Sequence, residues 1–321
     1  MIQVIVHSDP TGPVADTRIE DLSELITQER TTLWVNVVDP TPDEISCIGK
    51  EFGFHPLAVE DTLRGGQRPK VDQYDGYQFI VFYGLTSADD RVQTQEVDIF
   101  LGKSFMVTFH KSDLRVITET ADRWRAHATK MGTHGVGFLL YSVLDSLVDG
   151  YFPVLDDIAE RADSLEETIL AAGQPTLQAE ILQLRRDLLV IRRVAAPERD
   201  VMNVLVRRDP PIFSRKELLY YQDVYDHLLR VTDSVDIYRD MLSSVLDANL
   251  TMVSYTLNVV VKRLTSSSIV LMSMSLIAGI YGMNFAFIPE LDWRLGYPFA
   301  LALMILVGAI EVGIFRRIGW L

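Results

Sequence analysis

Four aspartates, Asp226, Asp233, Asp240 and Asp247, recur every seven residues, and Asn258, Thr265, Met272 and Gly279 continue at the same interval. On an α-helix that interval returns a side chain to nearly the same azimuth, so each set forms a stripe. The second stripe is offset from the first by four residues, so the two face nearly the same way. Carboxylates concentrate cations, and hydroxyls and glycine on an apolar helix belong against other helices or water rather than lipid. The chemistry this suggests is the gathering and passage of a cation. A solvated acidic face and plain helix packing are the alternatives, and periodicity alone leaves both open. Covalent catalysis finds no support: the six histidines show no HExxH pairing and there is no GxSxG turn. Gly102-Lys103-Ser104 lacks the upstream glycine of a phosphate loop, since position 97 is Val.

The elements that must carry these stripes follow from composition. The chain has 321 residues and a formal net charge of −14, nearly all of it in the first 260 residues. An acidic body joined to an apolar tail speaks against a nucleic-acid partner, whose phosphates it would repel. Cys47 is the one cysteine, which fits a reducing cytosol. The N-terminus MIQVIVHSDP lacks the basic and apolar regions of a signal peptide, so the apolar tail is expected to be the anchor.

Residues 1–135 read as mixed α and β. Strands are predicted at Gln3–His7, Leu33–Val38, Gln78–Gly84, Val92–Leu101 and Ser104–His110, the last two as an antiparallel hairpin. Thr41-Pro42-Asp43-Glu44 is a helix-start signal. A long acidic helix over Phe138–Ala172, broken at Gly173-Gln174-Pro175, is expected to pair with a second over Thr176–Val206, ended by Asp209-Pro210-Pro211. From Ser214 to Ile280 only Gly279 interrupts, consistent with one helix of roughly 100 Å. Its apolar seam runs through Leu228, Val231, Val235, Tyr238, Leu242 and Val245.

Leu264–Pro289 holds no charged side chain over 26 positions, and Leu295–Phe315 holds only Glu311 over 21. Each suffices for a bilayer core of about 30 Å. Lys262-Arg263 precede the first span and Arg316-Arg317 follow the second, which places both termini in the cytoplasm and the loop outside. The expected organisation is an α/β domain at 1–135, a helical hairpin at 136–212 and a stalk helix at 213–283 that becomes the first span at about 262. An extracytoplasmic loop at 284–294, a second span at 295–316 and a short tail at 317–321 complete it.

At the end of the first span stands Tyr281-Gly282-Met283-Asn284-Phe285, preceded by Ile-Ala-Gly-Ile and followed by a short acidic loop and the second span. This arrangement resembles the CorA family of Mg²⁺ channels. The resemblance extends in order to Phe54-His55-Pro56-Leu57, Glu60-Asp61, Gln67-Arg68-Pro69-Lys70-Val71, Tyr141–Tyr151 and Asp223-Val224-Tyr225-Asp226. It implies a homopentamer of funnel-like α/β/α subunits in the plasma (inner) membrane, each an α+β cytoplasmic domain with a long helical stalk and two C-terminal transmembrane helices. Gly282, Met283 and Asn284 would form the selectivity filter. Asn258, Leu264, Thr265, Met272 and Gly279 would line the pore, with Asp247 below. Asp223 would face Asp61 of a neighbouring subunit across a regulatory Mg²⁺, with Glu60 and Asp145 as lesser ligands.

The implied function is Mg²⁺ influx driven by the membrane potential and closed by intracellular Mg²⁺, with Co²⁺ or Ni²⁺ as further cargo and no organic cofactor. The alternative is a proton-coupled Zn²⁺ transporter of the ZntB type, disfavoured by the absence of His or Cys clusters. The sequence departs from the family in four places: Ser273 where proline is frequent, Ala286 where an acid is, a weakly basic tail, and Glu311. Glu311 is expected to snorkel or to pair with Lys262 or Arg316.

Overall fold

The computed structural model describes residues 1–8, 12–14, 22, 31–88, 91–112, 114–126, 135–172, 177–207, 213, 217–284 and 293–321. The chain forms two compact units. One comprises Met1–Leu165 with Ala179–Ser244, the other Glu166–Gln178 with Val245–Leu321.

The first unit is built on a seven-stranded sheet. Its strands are β1 (Ile2–Ser8), β2 (Gly12–Val14), β3 (Thr31–Val38), β4 (Lys70–Gln73), β5 (Tyr77–Ala88), β6 (Arg91–Gly102) and β7 (Phe105–His110). Their order across the sheet is β2-β1-β3-β7-β6-β5-β4. Only β3 and β7 run parallel, and β6 and β7 form the antiparallel hairpin that their sequences predict, with Leu101 opposite Met106. Ile80, Val81, Phe82, Ile99, Phe100 and Leu101 are fully buried, so these strands are covered on both faces.

Helices α1 (Pro42–Glu51) and α2 (Pro56–Arg64) cover one face, where the Phe54 ring stacks on Phe100 at 4.0 Å. Thr41 caps α1 by accepting from the Glu44 amide at 3.3 Å, while Glu44 accepts from the Thr41 amide at 2.8 Å. Such a box is worth about 1 kcal/mol. His55 caps α2 through Nδ1, which accepts from the Leu57 amide, and its own amide donates to the Tyr77 hydroxyl. These two caps fix where α2 starts and therefore which way Glu60 and Asp61 point. Helices α3 (Arg115–Ala126) and α4 (Gly135–Asp149) lie on the other face, where a Cβ on Gly84 would meet Leu114 and Leu147 within 3.2 Å. The result is an α/β/α sandwich.

The predicted helix over Phe138–Ala172 is instead two, α4 and α5 (Tyr151–Ala172), separated by a turn at Gly150. Pro153 explains the break. It has no amide to donate to the Asp149 carbonyl, and its ring crowds that carbonyl. Helix α6 (Leu177–Arg207) matches the second predicted arm; the breakers at 173–175 and 209–211 lie outside the described residues. On α6, Glu198 is fully buried and accepts from the Tyr83 amide at 2.8 Å and the Tyr151 hydroxyl at 2.7 Å. Burial pushes both Glu198 and Tyr151 well above their usual ranges, and their hydrogen bonds serve as structural ties.

Helix α7 (Leu218–Tyr281) is continuous over 64 residues, and α8 (Gly296–Arg317) follows. In the first unit its seam residues Leu228, Val231, Val235 and Leu242 are buried, whereas Tyr238 is half-buried. Among the described residues, three stretches are long and apolar enough to cross a membrane: Gly135–Ile169, Leu218–Tyr281 and Gly296–Arg317. Half of the first one's apolar window is buried inside the protein, against 6% and 17% for the others. Gly135–Ile169 is therefore core, and the apolar part of α7 together with α8 is the surface suited to lipid.

Asp98 on β6 is only 4% exposed, and its Oδ1 has no hydrogen-bond partner among the described residues. Burial, aided by Glu96, raises its pKa to about 8. A carboxyl whose folded pKa lies above its unfolded value holds its proton more tightly when folded. Its stabilising contribution is whole below about pH 4 and is lost as pH rises towards 8. Glu198 acts with the same sign. Asp98→Asn in the full-length protein should therefore flatten the fall of melting temperature between pH 5 and 8, by about 3 kcal/mol, a shift of several degrees. Parallel melting curves for the two proteins would show that Asp98 is not buried as described.

Candidate metal and pore sites

In the first unit the sequence-predicted ligands fall in two places. Glu60 and Asp61 sit on α2. Glu60 pairs with Arg64 one turn on at 2.6 Å, and Asp61 pairs with Lys70 at 2.7 Å. Lys70 also holds Asp72 at 2.7 Å. Burial lowers the Lys70 pKa, but hydrogen bonds to the two aspartates more than offset this and leave it raised.

Asp145 on α4 and Asp223 on α7 form the other place. Asp145, Asp149 and His227 each offer a ligand atom, and these atoms lie within 4.8 Å of one another. His227 Nδ1 is 3.7 Å from Asp149, and its Nε2 is 4.0 Å from Asp223. Burial and the neighbouring Asp149 charge raise the Asp145 pKa to about 6. Tyr141 beside it is pushed up to about 12 by burial and by Asp145 and Asp223. Acids that hold each other's protons in this way gain from a cation placed between them. The donors fit a hydrated Mg²⁺: carboxylates suit a hard ion, while an imidazole suits its bound waters better than the ion itself. Asp149 and His227 escaped the sequence reading. Their signal was present as i,i+4 partners of Asp145 and Asp223 on helices that only the fold brings together.

The aspartate stripe on α7 is exposed throughout, at Asp226, Asp233 and Asp240 in the first unit and at Asp247 in the second. Between Leu264 and Ile280 of α7, Ser266, Val270, Ser273, Met274 and Ile277 are the less exposed residues. α8 packs here: Met274 Cε and Val270 Cγ1 lie within 2.8 and 3.6 Å of where a Cβ on Gly308 would sit. At 100° per residue this face lies roughly opposite the stripe Asn258, Thr265, Met272 and Gly279, all exposed. Leu264 and Met272 are 68% and 70% exposed, and nothing lies within 4 Å of a Cβ placed on Gly279.

The helix ends at Tyr281. The Gly282 amide donates to the Ala278 carbonyl at 2.9 Å and the Met283 amide to Ile280 at 3.3 Å. A Cβ on Gly282 would lie 3.2 Å from the Ala278 carbonyl oxygen, so the turn has little room for a side chain. Gly282, Met283 and Asn284 are exposed. Ala286 and most of the following loop lie outside the described residues. Glu311 pairs with none of Lys262, Arg263, Arg316 or Arg317 among the described residues; it accepts from the Ser273 hydroxyl at 2.6 Å instead. The expected snorkelling gives way to a neighbour close at hand on α7.

The first unit is an α/β/α domain, α7 carries acidic and polar stripes, and α7 and α8 are each long and apolar enough to cross a membrane. The family description "CorA-like Mg²⁺ transporter protein" matches residues 29–317, and the chain belongs to that family. It is 36% identical over 294 residues to the cobalt/magnesium transport protein CorA of Thermotoga maritima, covering 91% of this chain and 84% of that protein. The complete structure of the CorA magnesium transporter from Methanocaldococcus jannaschii superposes with a TM-score of 0.85 at 25% identity, covering 100% of this chain and 99% of that one. The ZntB cytoplasmic domain from Vibrio parahaemolyticus shares the fold, with a TM-score of 0.63 at 15% identity over 77% of this chain and 96% of that one.

Lys70 already neutralises Asp61, so a divalent cation arriving at Asp61 has to displace it. With Asp61 as a ligand, Lys70→Met should lower the Mg²⁺ concentration at half-saturation, measured by isothermal titration calorimetry, by about fivefold, the worth of roughly 1 kcal/mol for a partly exposed pair. An unchanged midpoint would remove Asp61 from the candidate ligands.

Proposed function

We propose that the chain forms a homopentameric channel carrying Mg²⁺ into the cytoplasm, driven by the membrane potential and closed by intracellular Mg²⁺. The observation that carries this reading is the exposed stripe of Asn258, Thr265, Met272 and Gly279 on the face of α7 roughly opposite α8. Polar groups on a span need protein or water beside them. Two spans cannot enclose a pore, but several copies with α7 inward can. Such an assembly stacks the acidic part of α7 beneath a narrow tube. Leu264 and Met272 form its constriction, and Asp247 forms a ring below. Both termini are cytoplasmic, and residues 284–294 face outside.

At the outer mouth, Gly282, Met283 and Asn284 form the filter. Mg²⁺ releases its octahedral waters reluctantly, so first contact is made by the Asn284 carboxamides hydrogen-bonding to those waters. A carboxylate ring would bind more tightly and hinder release. Two charges crossing 100 mV yield about 4.6 kcal/mol, which suffices without a nucleotide. Co²⁺ and Ni²⁺, of similar size and hydration, follow the same path.

Closure uses Mg²⁺ held between subunits by Asp61 on one and Asp223 on the next, with Glu60, Asp145, Asp149 and His227 around it. The Asp145–Asp149–His227 cluster supports this reading because it supplies half of such a site within a single chain. Millimolar binding is worth about −4 kcal/mol per site, so several sites acting together hold the closed state.

Mg²⁺ uptake into liposomes tests the proposal. Asn284→Ala should lose uptake by at least about tenfold, and Asp223→Lys should keep uptake but lose inhibition by internal Mg²⁺. Zn²⁺ flux that requires a pH gradient, with no Mg²⁺ flux, would overturn the reading in favour of proton-coupled zinc transport.

A further inference from the structure

Glu311 is the one charged side chain between Leu295 and Phe315, and the pore reading leaves it unexplained. It belongs to the row Ala300, Met304, Val307, Gly308 and Glu311, the less exposed side of α8. One carboxyl oxygen accepts from Ser273 at 2.6 Å; the other is buried with no hydrogen-bond partner among the described residues. A half-satisfied carboxyl is a poor choice for packing alone, since leucine would fill the space without that cost.

Elsewhere α8 meets α7 at Gly308, where the apolar side chains of Met274 and Val270 approach. Contacts of this kind hold two helices together but resist rotation weakly, because lipid and leucine are equally apolar. A directional hydrogen bond does resist rotation. Ser273 directly follows Met272, so an anchor on Ser273 sets the azimuth of Met272 one residue, or 100°, away.

We propose that the Ser273–Glu311 hydrogen bond is a positioning device that fixes the rotation of α7 and thereby keeps the Thr265–Met272–Gly279 face turned from α8 and into the ion path. This rests on the channel reading above. Ser273 and Glu311 touch no ion; they act through Met272 and its neighbours. The role requires an acceptor at 311 and a donor at 273, not a negative charge. Glutamine at 311 therefore serves, whereas leucine, which preserves bulk and apolarity, does not.

The test is Mg²⁺ uptake into liposomes by full-length Glu311→Gln, Glu311→Leu, Ser273→Ala and the Ser273→Ala/Glu311→Leu double variant. Oligomeric state is checked by size-exclusion chromatography. Uptake by Glu311→Gln should stay within about twofold of wild type, while Glu311→Leu and Ser273→Ala should each fall about tenfold. The double variant should be no worse than the poorer single one, because both remove the same bond. Wild-type uptake by Glu311→Leu, a glutamine variant as defective as the leucine one, or additive losses in the double variant would overturn the proposal. Should Glu311→Leu fail to assemble, the Gln and Ser273→Ala comparison still decides. Absence of Mg²⁺ uptake by wild type would instead overturn the channel reading itself.

Discussion

Inside a bilayer no water is available to hydrogen-bond a stray polar group, so every such group must face protein or a hydrated space. That constraint organises the second unit. α8 occupies one face of α7, and Asn258, Thr265, Met272 and Gly279 occupy the other. A helix that spent hydroxyls and glycine facing lipid would be a worse anchor than a plain apolar one. Their presence on one stripe is the strongest physical argument that α7 does more than anchor. Glu311 obeys the same rule at one oxygen, which accepts from Ser273.

The first unit separates its acids into two kinds by environment. Asp98 and Glu198 are enclosed and raised in pKa by burial, and Glu198 is tied to the Tyr83 amide of β5. Asp145, Asp149 and Asp223 crowd one another around His227 at a partly open edge, where mutual repulsion is available to be relieved by a cation. Asp61 has already found a cation in Lys70.

Features with a strong local signal could be read from the residues directly. Thr41 to Glu44 announced the α1 cap, the Val92 and Ser104 runs announced the β6–β7 hairpin, and seven-residue spacing announced the stripes of α7. Short strands β2 and β4 carry too little apolar periodicity to stand out. The break at Gly150 was hidden because its cause, Pro153, lies within the first turn of the next helix, where proline is tolerated. Asp149 and His227 were invisible as a pair because their contact depends on α4 and α7 meeting across 78 positions of chain. Buried acids such as Asp98 look like surface acids until the covering helices are known.

The claim on which the account stands is that one face of the apolar part of α7 meets water. Nitroxide labels on single cysteines at 265 and 272, in Cys47→Ser protein reconstituted in liposomes, report this through collisions with a water-soluble nickel chelate and with oxygen. A label at Ile305, exposed on α8, serves as the lipid reference. The chelate should reach positions 265 and 272 far more readily than 305. Labels at 265 and 272 that meet oxygen but not the chelate, as a lipid-facing site would, contradict it.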